Sequence, residues 1–286
     1  MMDKKIKTWL VRGDTHGNFA QLTEQLLDYK PEETAVIILG DFGANFYLNK
    51  TDTRKKKELN QFHYYIYAVR GNHEARPQDI PEMKKVYDEE VEGYIYYEPE
   101  YPYIRYFLDY GNYHINGYNC LTIGGAYSID RDWRLMRTGC IDSFGNPDIS
   151  KNNPKLTGWF TNEQLSAAEI EDCRQMIKDK ILGKHIDFVL THTCPTRFQP
   201  TDMFLHGVDQ SKVDNSMEEF LEEISHMIDW EIWLFGHYHA DRLEAPKVEM
   251  YFNDIDSLDN IYHRWQVYDE SHELPWGIVK GPNFYK

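Results

Sequence analysis

The sequence is poor in cysteine, in positive charge and in long apolar runs, and each shortage removes a class of protein. Its cysteines, Cys120, Cys140, Cys173 and Cys194, form no C-x-x-C pair. Such scatter offers neither a disulfide framework nor a thiolate metal site, and it fits a reducing compartment. No apolar stretch approaches the roughly 18 residues that a membrane-spanning helix needs. The N-terminal run "MMDKKIKTWLVRGD" passes from basic residues straight into a strand pattern, unlike an export signal. We therefore expect a soluble, unexported, cytoplasmic protein with no membrane partner. Lys and Arg number 31 against 47 Asp and Glu, a net charge of −16. That field opposes contact with a polyanion and weighs against a nucleic-acid partner. It does not decide the matter, because divalent cations in a carboxylate-lined cleft would reverse the local sign. The short basic run Arg54, Lys55, Lys56, Lys57 reads as a solvated helix face.

What is present is ample material for a core. Of 286 residues, 41% are hydrophobic, with 21 tyrosines, 14 phenylalanines and 7 tryptophans. That length permits one domain or two. We expect a single domain over residues 1–286, its motifs within 11–240, with 241–286 a C-terminal extension that completes or covers the core. Short β-rich runs repeatedly stop at a polar loop. "IKTWLV" precedes "RGDTHG", "TAVIIL" precedes "GDFG", "YYIYAV" precedes "RGNHE", "IDFVL" precedes "THTCP" and "WEIWLF" precedes "GHYH". Buried strands that each end in metal-competent residues describe an α/β sheet with its site at the strands' carboxyl ends. Helix-compatible segments separate them: "NFAQLTEQLLDY", "TNEQLSAAEIEDCRQMIKDKI", with Thr161 and Gln164 as an N-cap pattern, and "SMEEFLEEISHMI". The aromatic, turn-punctuated stretch from Tyr94 to Asp130 reads as antiparallel strands of a second, mixed sheet. Its tyrosines are better suited to sheet packing than to stacking on bases.

The chemistry-bearing residues all sit in those loops. Asp14 and His16 are two apart in "GDTHG", Asp41 lies in "GDFG", Asn72 and His73 in "GNHE", His192 in "THTCP", and His237 and His239 in "GHYH". Carboxylate, imidazole and amide oxygen form a hard-to-borderline donor set, suited to Mn, Fe or Zn. A carboxylate from a central strand can bridge two cations roughly 3.5–4 Å apart, and Asp41 is the natural bridge. Arg70 and Arg76 flank "GNHE", where a guanidinium can grip a phosphoryl oxygen bidentately. Asp130, Arg131 and Arg134 read equally well as phosphate contacts or as surface ion pairs.

The ordered set "GDTHG", "GDFG", "GNHE", "THTCP" and "GHYH" resembles the signature of the calcineurin-like metallophosphoesterases, and "GGAYSIDRDWR" is similar to a stretch in bacterial and phage members. The resemblance spans Asp14 to His239. It implies a metallophosphoesterase fold, two mixed β-sheets packed as a sandwich and flanked by helices. It also implies one metal on Asp14, His16 and His239, a second on Asn72, His192 and His237, and Asp41 bridging them. His73 would face the substrate as general acid. The phosphoprotein-phosphatase branch carries Asp and Arg where this chain has Ala44 and Asn45, so a close tie to serine/threonine phosphatases is not expected. Glu74 or Asp130 would have to supply the missing carboxylate. The expected reaction is hydrolysis of a phosphate ester, mono- or small diester, by a metal-bridging hydroxide, with catalytic roles for His73 and Arg70. The cofactors would be two divalent ions, Mn²⁺ first, with Fe, Zn or Mg as alternatives. A nuclease and a non-catalytic protein-binding scaffold are the competing readings; substrate and oligomeric state stay open.

Overall fold

The computed structural model describes residues 5–273 and 278–281. Residues 274–277 and 282–286 of the expected C-terminal extension lie outside the described residues. The strands in chain order are β1 (Thr8–Arg12), β2 (Thr34–Leu39), β3 (Tyr65–Val69), β4 (Lys84–Asp88), β5 (Gly93–Tyr97), β6 (Ile104–Phe107), β7 (Tyr110–Ile115) and β8 (Tyr118–Ile123). They continue with β9 (His185–Thr191), β10 (Asp229–Phe235), β11 (Arg242–Ala245), β12 (Val248–Met250) and β13 (Ile255–Ser257). The helices are α1 (Phe19–Gln25), α2 (Lys50–Asn60), α3 (Arg131–Arg137), α4 (Pro154–Thr157), α5 (Ala167–Lys180), α6 (Ser216–Met227) and α7 (Leu258–Ser271).

Period-two alternation sorts these strands into layers. In β2, Ala35, Ile37 and Leu39 face one core and Val36 and Ile38 another. The first core lies between two sheets, where Trp9, Ile37 and Tyr67 share a cluster with Phe188, Leu190, Ile232 and Leu234. Val36 and Ile38 pack instead beside Phe19 and Leu22 of α1 and Leu59 of α2. On the far sheet, Val189, Trp233 and Phe235 meet Cys173 and Ile177 of α5 and Leu221 and Ile224 of α6. Strands buried on both faces need apolar residues at every position, which is why β2 reads as an unbroken apolar run. The result is a mixed seven-stranded sheet, β13-β1-β2-β3-β6-β5-β4, on a mixed six-stranded sheet, β11-β12-β10-β9-β8-β7, with α1 and α2 outside the first, α5 and α6 outside the second, and α7 adding Leu258, Ile261 and Trp265 to the core between them. No helix among the described residues is long and apolar enough to cross a membrane.

The aromatic stretch divides between the sheets. β5 pairs antiparallel with β4 and β6, and β7 with β8. Tyr67, Phe107 and Tyr113 pack ring on ring in the core between the sheets, with centroids 5.6 and 4.7 Å apart. Residues past 241 supply strands to both sheets: β13 pairs with β1, and β12 with β10.

Two local expectations change. The helix expected from Thr161 begins at Ala167, with Ser166 as N-cap in a reciprocal capping box with Glu169. That box satisfies two terminal N–H groups at once, while Glu163 and Gln164 are held in loop contacts elsewhere. Lys56 is not part of a solvated face. It is buried, its ammonium bonded to Glu98 and to Asn45 Oδ1 at 3.0 Å.

Replacing Ser166 by Ala should lower the unfolding free energy by about 1 kcal/mol, the usual worth of an N-cap. Denaturant titration would show a shifted midpoint with an unchanged slope.

Candidate metal centre

Parallel pairing of β1, β2 and β3 in one sheet, and of β9 and β10 in the other, brings five strand ends together. Asp14 follows β1, Asp41 follows β2, Asn72 and His73 follow β3, His192 follows β9, and His237 and His239 follow β10. The two sheets meet through His192, whose Nδ1 lies 2.8 Å from the Leu39 carbonyl at the end of β2. The same ring comes within 3.6 Å of Asp41 and 4.0 Å of Asp14. Backbone amides fix the two carboxylates: His237 N–H donates to Asp14 at 2.9 Å and His73 N–H to Asp41 at 2.8 Å.

The chain accepts strain to do this. His16, Asp41, His237 and His239 all have left-handed φ, between 45° and 70°, where non-glycine residues are uncommon. Such outliers persist only where the surrounding structure holds them, and they gather at functional sites. Gly40, at φ 92°, must lack a side chain, since a Cβ there would lie 2.0 Å from His192 Nδ1.

The donor atoms form two overlapping groups. Asp14, His16 and His239 offer atoms within 4.8 Å of one another, and so do Asp14, Asp41 and His192. In the first group the Nε2 atoms of His16 and His239 face each other at 2.9 Å. Asp14 Oδ2 is buried without a hydrogen bond, 3.2 Å from His239 Nε2 and 3.7 Å from His16. In the second, His192 donates through Nδ1 to the Leu39 carbonyl, so in the neutral ring it is Nε2 that carries the lone pair. That lone pair lies 2.8 Å from Asn72 Oδ1, another acceptor. Two acceptors in contact repel unless a proton on Nε2 or a metal ion shared by both atoms relieves them, and with the carboxylates alongside these residues fit a metal. His237 packs edge-on against His192 with centroids 4.9 Å apart.

Which way the Asn72 amide points is settled by two residues that motif reading did not single out for a role. Ser128 donates its hydroxyl to buried Glu163, so its oxygen accepts from Asn72 Nδ2 at 2.8 Å. The Ser128 N–H also donates to Glu163, at 3.0 Å. Glu163 thus orients Ser128, and Ser128 turns Asn72 Oδ1 toward the centre. Burial pushes the Glu163 carboxyl up to about 7, with the Ser128 bond opposing it. Ser128 at least lies in the "GGAYSID" stretch; Glu163 sits 35 residues away in a loop and carries no sequence signal.

Burial raises the cost of ionising Asp14 and Asp41, but neighbouring histidines outweigh it. His192 and His239 hold Asp14 below the usual carboxylate range, and His192, His73 and His16 hold Asp41 there too. Burial, then His192, pushes His237 down to about 3, keeping it a neutral donor. Burial also lowers His73, against the pull of Asp41.

Arg70 and Arg76 do not enter the cavity as expected. Arg70 is buried against Asp109 and the Glu163 carbonyl, and Arg76 is bonded to Asp109, Glu169 and the carbonyls of Asn162 and Gln164. Both brace the floor behind "GNHE". Ala44 is sealed in the core beside Phe42, and Asn45 spends its amide on Tyr106 and Lys56. Glu74 turns inward onto Gly71 N–H, where burial raises it to about 8. Asp130 does line the cavity with His73. Its Oδ1 is buried and unbonded, as is His73 Nδ1.

Residues 8–241 match the profile described as calcineurin-like phosphoesterase, most of the chain, and the protein belongs to that family. No curated protein sequence matches. Among solved structures, it is similar to phosphopantetheinyl hydrolase from Mycobacterium tuberculosis at 12% identity and TM-score 0.43, over 87% of this chain and 89% of that one. It is also similar to a serine/threonine phosphatase from Saccharomyces cerevisiae at 13% identity and TM-score 0.30, over 87% and 68%. The family uses a binuclear metal centre.

If Ser128 orients a ligand, Ser128→Ala should weaken one of two metal sites by about 10–100-fold, the usual cost of losing an outer-shell partner. Titration with Mn²⁺ followed by calorimetry should then resolve two unequal sites.

Proposed function

We propose that this calcineurin-like phosphoesterase holds two divalent cations and hydrolyses small phosphate esters. One cation would rest on Asp14, His16 and His239 and the other on Asn72, His192 and His237, with Asp41 between. When bound, the pair would supply Lewis acidity toward phosphoryl oxygens and a water acidic enough to serve as nucleophile near neutral pH. The supporting observation is the convergence of His192 Nε2 and Asn72 Oδ1, 2.8 Å apart, beside the buried carboxylates of Asp14 and Asp41, a donor set that suits a divalent cation.

The chain's own residues do the rest. His73 is anchored by its backbone N–H on Asp41 and borders a cavity of about 350 Å³ that opens over the centre. It can therefore give a proton to the departing ester oxygen. The carboxylate available to such a proton would be Asp130 rather than a residue at position 44, since Asp130 shares that wall with His73; burial and Arg134 lower the proton affinity of His73, and Asp130 and Asp41 oppose them. With Arg70 and Arg76 committed to Asp109, charge on the phosphoryl group must be met by the metals and by donors other than these two. We assign Arg70 a positioning role.

Protein reconstituted with Mn²⁺ should bind two ions per chain by elemental analysis. His73→Ala should keep that stoichiometry while kcat on p-nitrophenyl phosphate falls by about 10²–10⁴-fold, whereas Asp41→Asn should lose metal. Equal metal loss in both would overturn the division between ligand and acid.

For Asp130→Asn, kcat/KM should fall more steeply with leaving-group pKa across a series of aryl and alkyl phosphates than in the wild type. An unchanged slope would remove Asp130 from proton delivery.

A further inference from the structure

Beside the metal centre, on the far side of Asp130, lies a second cleft of about 420 Å³ whose chemistry opposes that of the chain. Asp130 accepts from Arg134 at 2.8 Å, so this ion pair forms the partition between the two cavities. Past the partition, the cleft is walled by Arg134, Arg137 and Lys155 and by the rings of Phe46, Tyr47 and Trp133, and no carboxylate lines it. In a chain of net charge −16, three cations lining one cleft, with Arg134 alone paired to a carboxylate, are a local reversal of sign.

Two of the three cations are left unpaired among the described residues. Arg134 is anchored by Asp130 and the Gly158 carbonyl, but Arg137 and Lys155 are exposed and make no ion pair among the described residues. Arg137 lies over the Trp133 ring, 5.0 Å from its centroid, and that indole is 56% exposed. Phe46 and Tyr47, which also line the cleft, meet edge to face at 4.8 Å, and Lys55 sits 5.7 Å above Tyr47. A guanidinium on an exposed indole, with a second cation and further rings lining the same cleft, suits a ligand that is both planar and anionic.

We propose that this cleft is a substrate subsite, binding a second anionic group and an attached planar ring of the molecule whose scissile phosphate lies on the metals. The preferred substrate is then a small organic phosphate of nucleotide-like chemistry, carrying one phosphate for cleavage and another as a handle. Its volume suits a mononucleotide fragment rather than a strand. The substrate assignment rests on the phosphoesterase reading; the cleft's affinity for such an anion does not.

The test is calorimetric binding of adenosine bisphosphate to the full chain, with Mn²⁺ present and after chelation, comparing wild type with Arg137→Ala/Lys155→Ala. Turnover of p-nitrophenyl phosphate is measured in parallel. Both side chains are exposed, so the variant should fold. It should bind adenosine bisphosphate about tenfold more weakly, two charge-assisted contacts having gone. Affinity for inorganic phosphate and turnover of p-nitrophenyl phosphate should not change. Trp133→Ala should weaken adenosine bisphosphate but not pyrophosphate. Equal nucleotide affinity in wild type and double variant, or none in wild type, overturns the subsite. Tighter binding of a single-stranded oligonucleotide than of the bisphosphate overturns the small-molecule assignment. Differential binding without any ester turnover would keep the cleft and refute the phosphoesterase reading instead.

Discussion

Two carboxylates, Asp14 and Asp41, are buried at neighbouring strand ends, and everything around them follows from the cost of that burial. A carboxylate removed from water is unstable as an anion unless positive charge or hydrogen bonds replace its hydration. Here each is given one backbone N–H and a ring of imidazoles, and Asp14 Oδ2 is still left without a donor. The deficit is of the kind that divalent cations make good. It also explains the company of histidines, which supply neutral lone pairs to a metal without adding to the negative charge already present.

Holding those donors within a few ångströms demands more precision than loops alone provide. The site is therefore mounted on the ends of parallel strands from two sheets, and the hydrogen bond from His192 to the Leu39 carbonyl ties one sheet to the other. Left-handed backbone at four of the donor residues is what lets short turns aim side chains back at a common point. Outside the first layer, the chain from Glu163 through Ser128 to Asn72 performs the same task for an amide, whose two ends would otherwise be interchangeable.

Around the centre the charge is divided by direction. The cavity over His73 keeps the acidic character of the chain through Asp41, Asp130 and Glu218, while the cleft past Arg134 is cationic and aromatic. Arg70 and Arg76 stand behind the centre, paired with Asp109, so the guanidiniums near the active site that remain toward solvent are those of α3. On the proposed reading, affinity for an anionic substrate would lie to one side of the metal centre.

How far this could be read from the chain depends on the length scale of each interaction. The strands were legible because burial on both faces leaves an unbroken apolar run such as "TAVIIL", and the donors were legible because each occupies the same place, just past a strand. Type, order and position together belong to the linear sequence. The fate of Arg70, Arg76, Lys56 and Glu163 does not. Arg70 and Asp109 are 39 residues apart, and Ser128 and Glu163 are 35. A guanidinium next to a motif looks the same in sequence whether it faces the substrate or a buried carboxylate. The start of α5 moved for a related reason, since Glu163 and Gln164 were claimed by loop contacts before they could join a helix. By itself, then, the sequence determined the buried sheet strands, the order of the polar motifs that end them and the family. Only the tertiary structure decided which charges were spent in pairing and which stayed free, because a side chain's partner is chosen by packing across the fold and not by its neighbours along the chain.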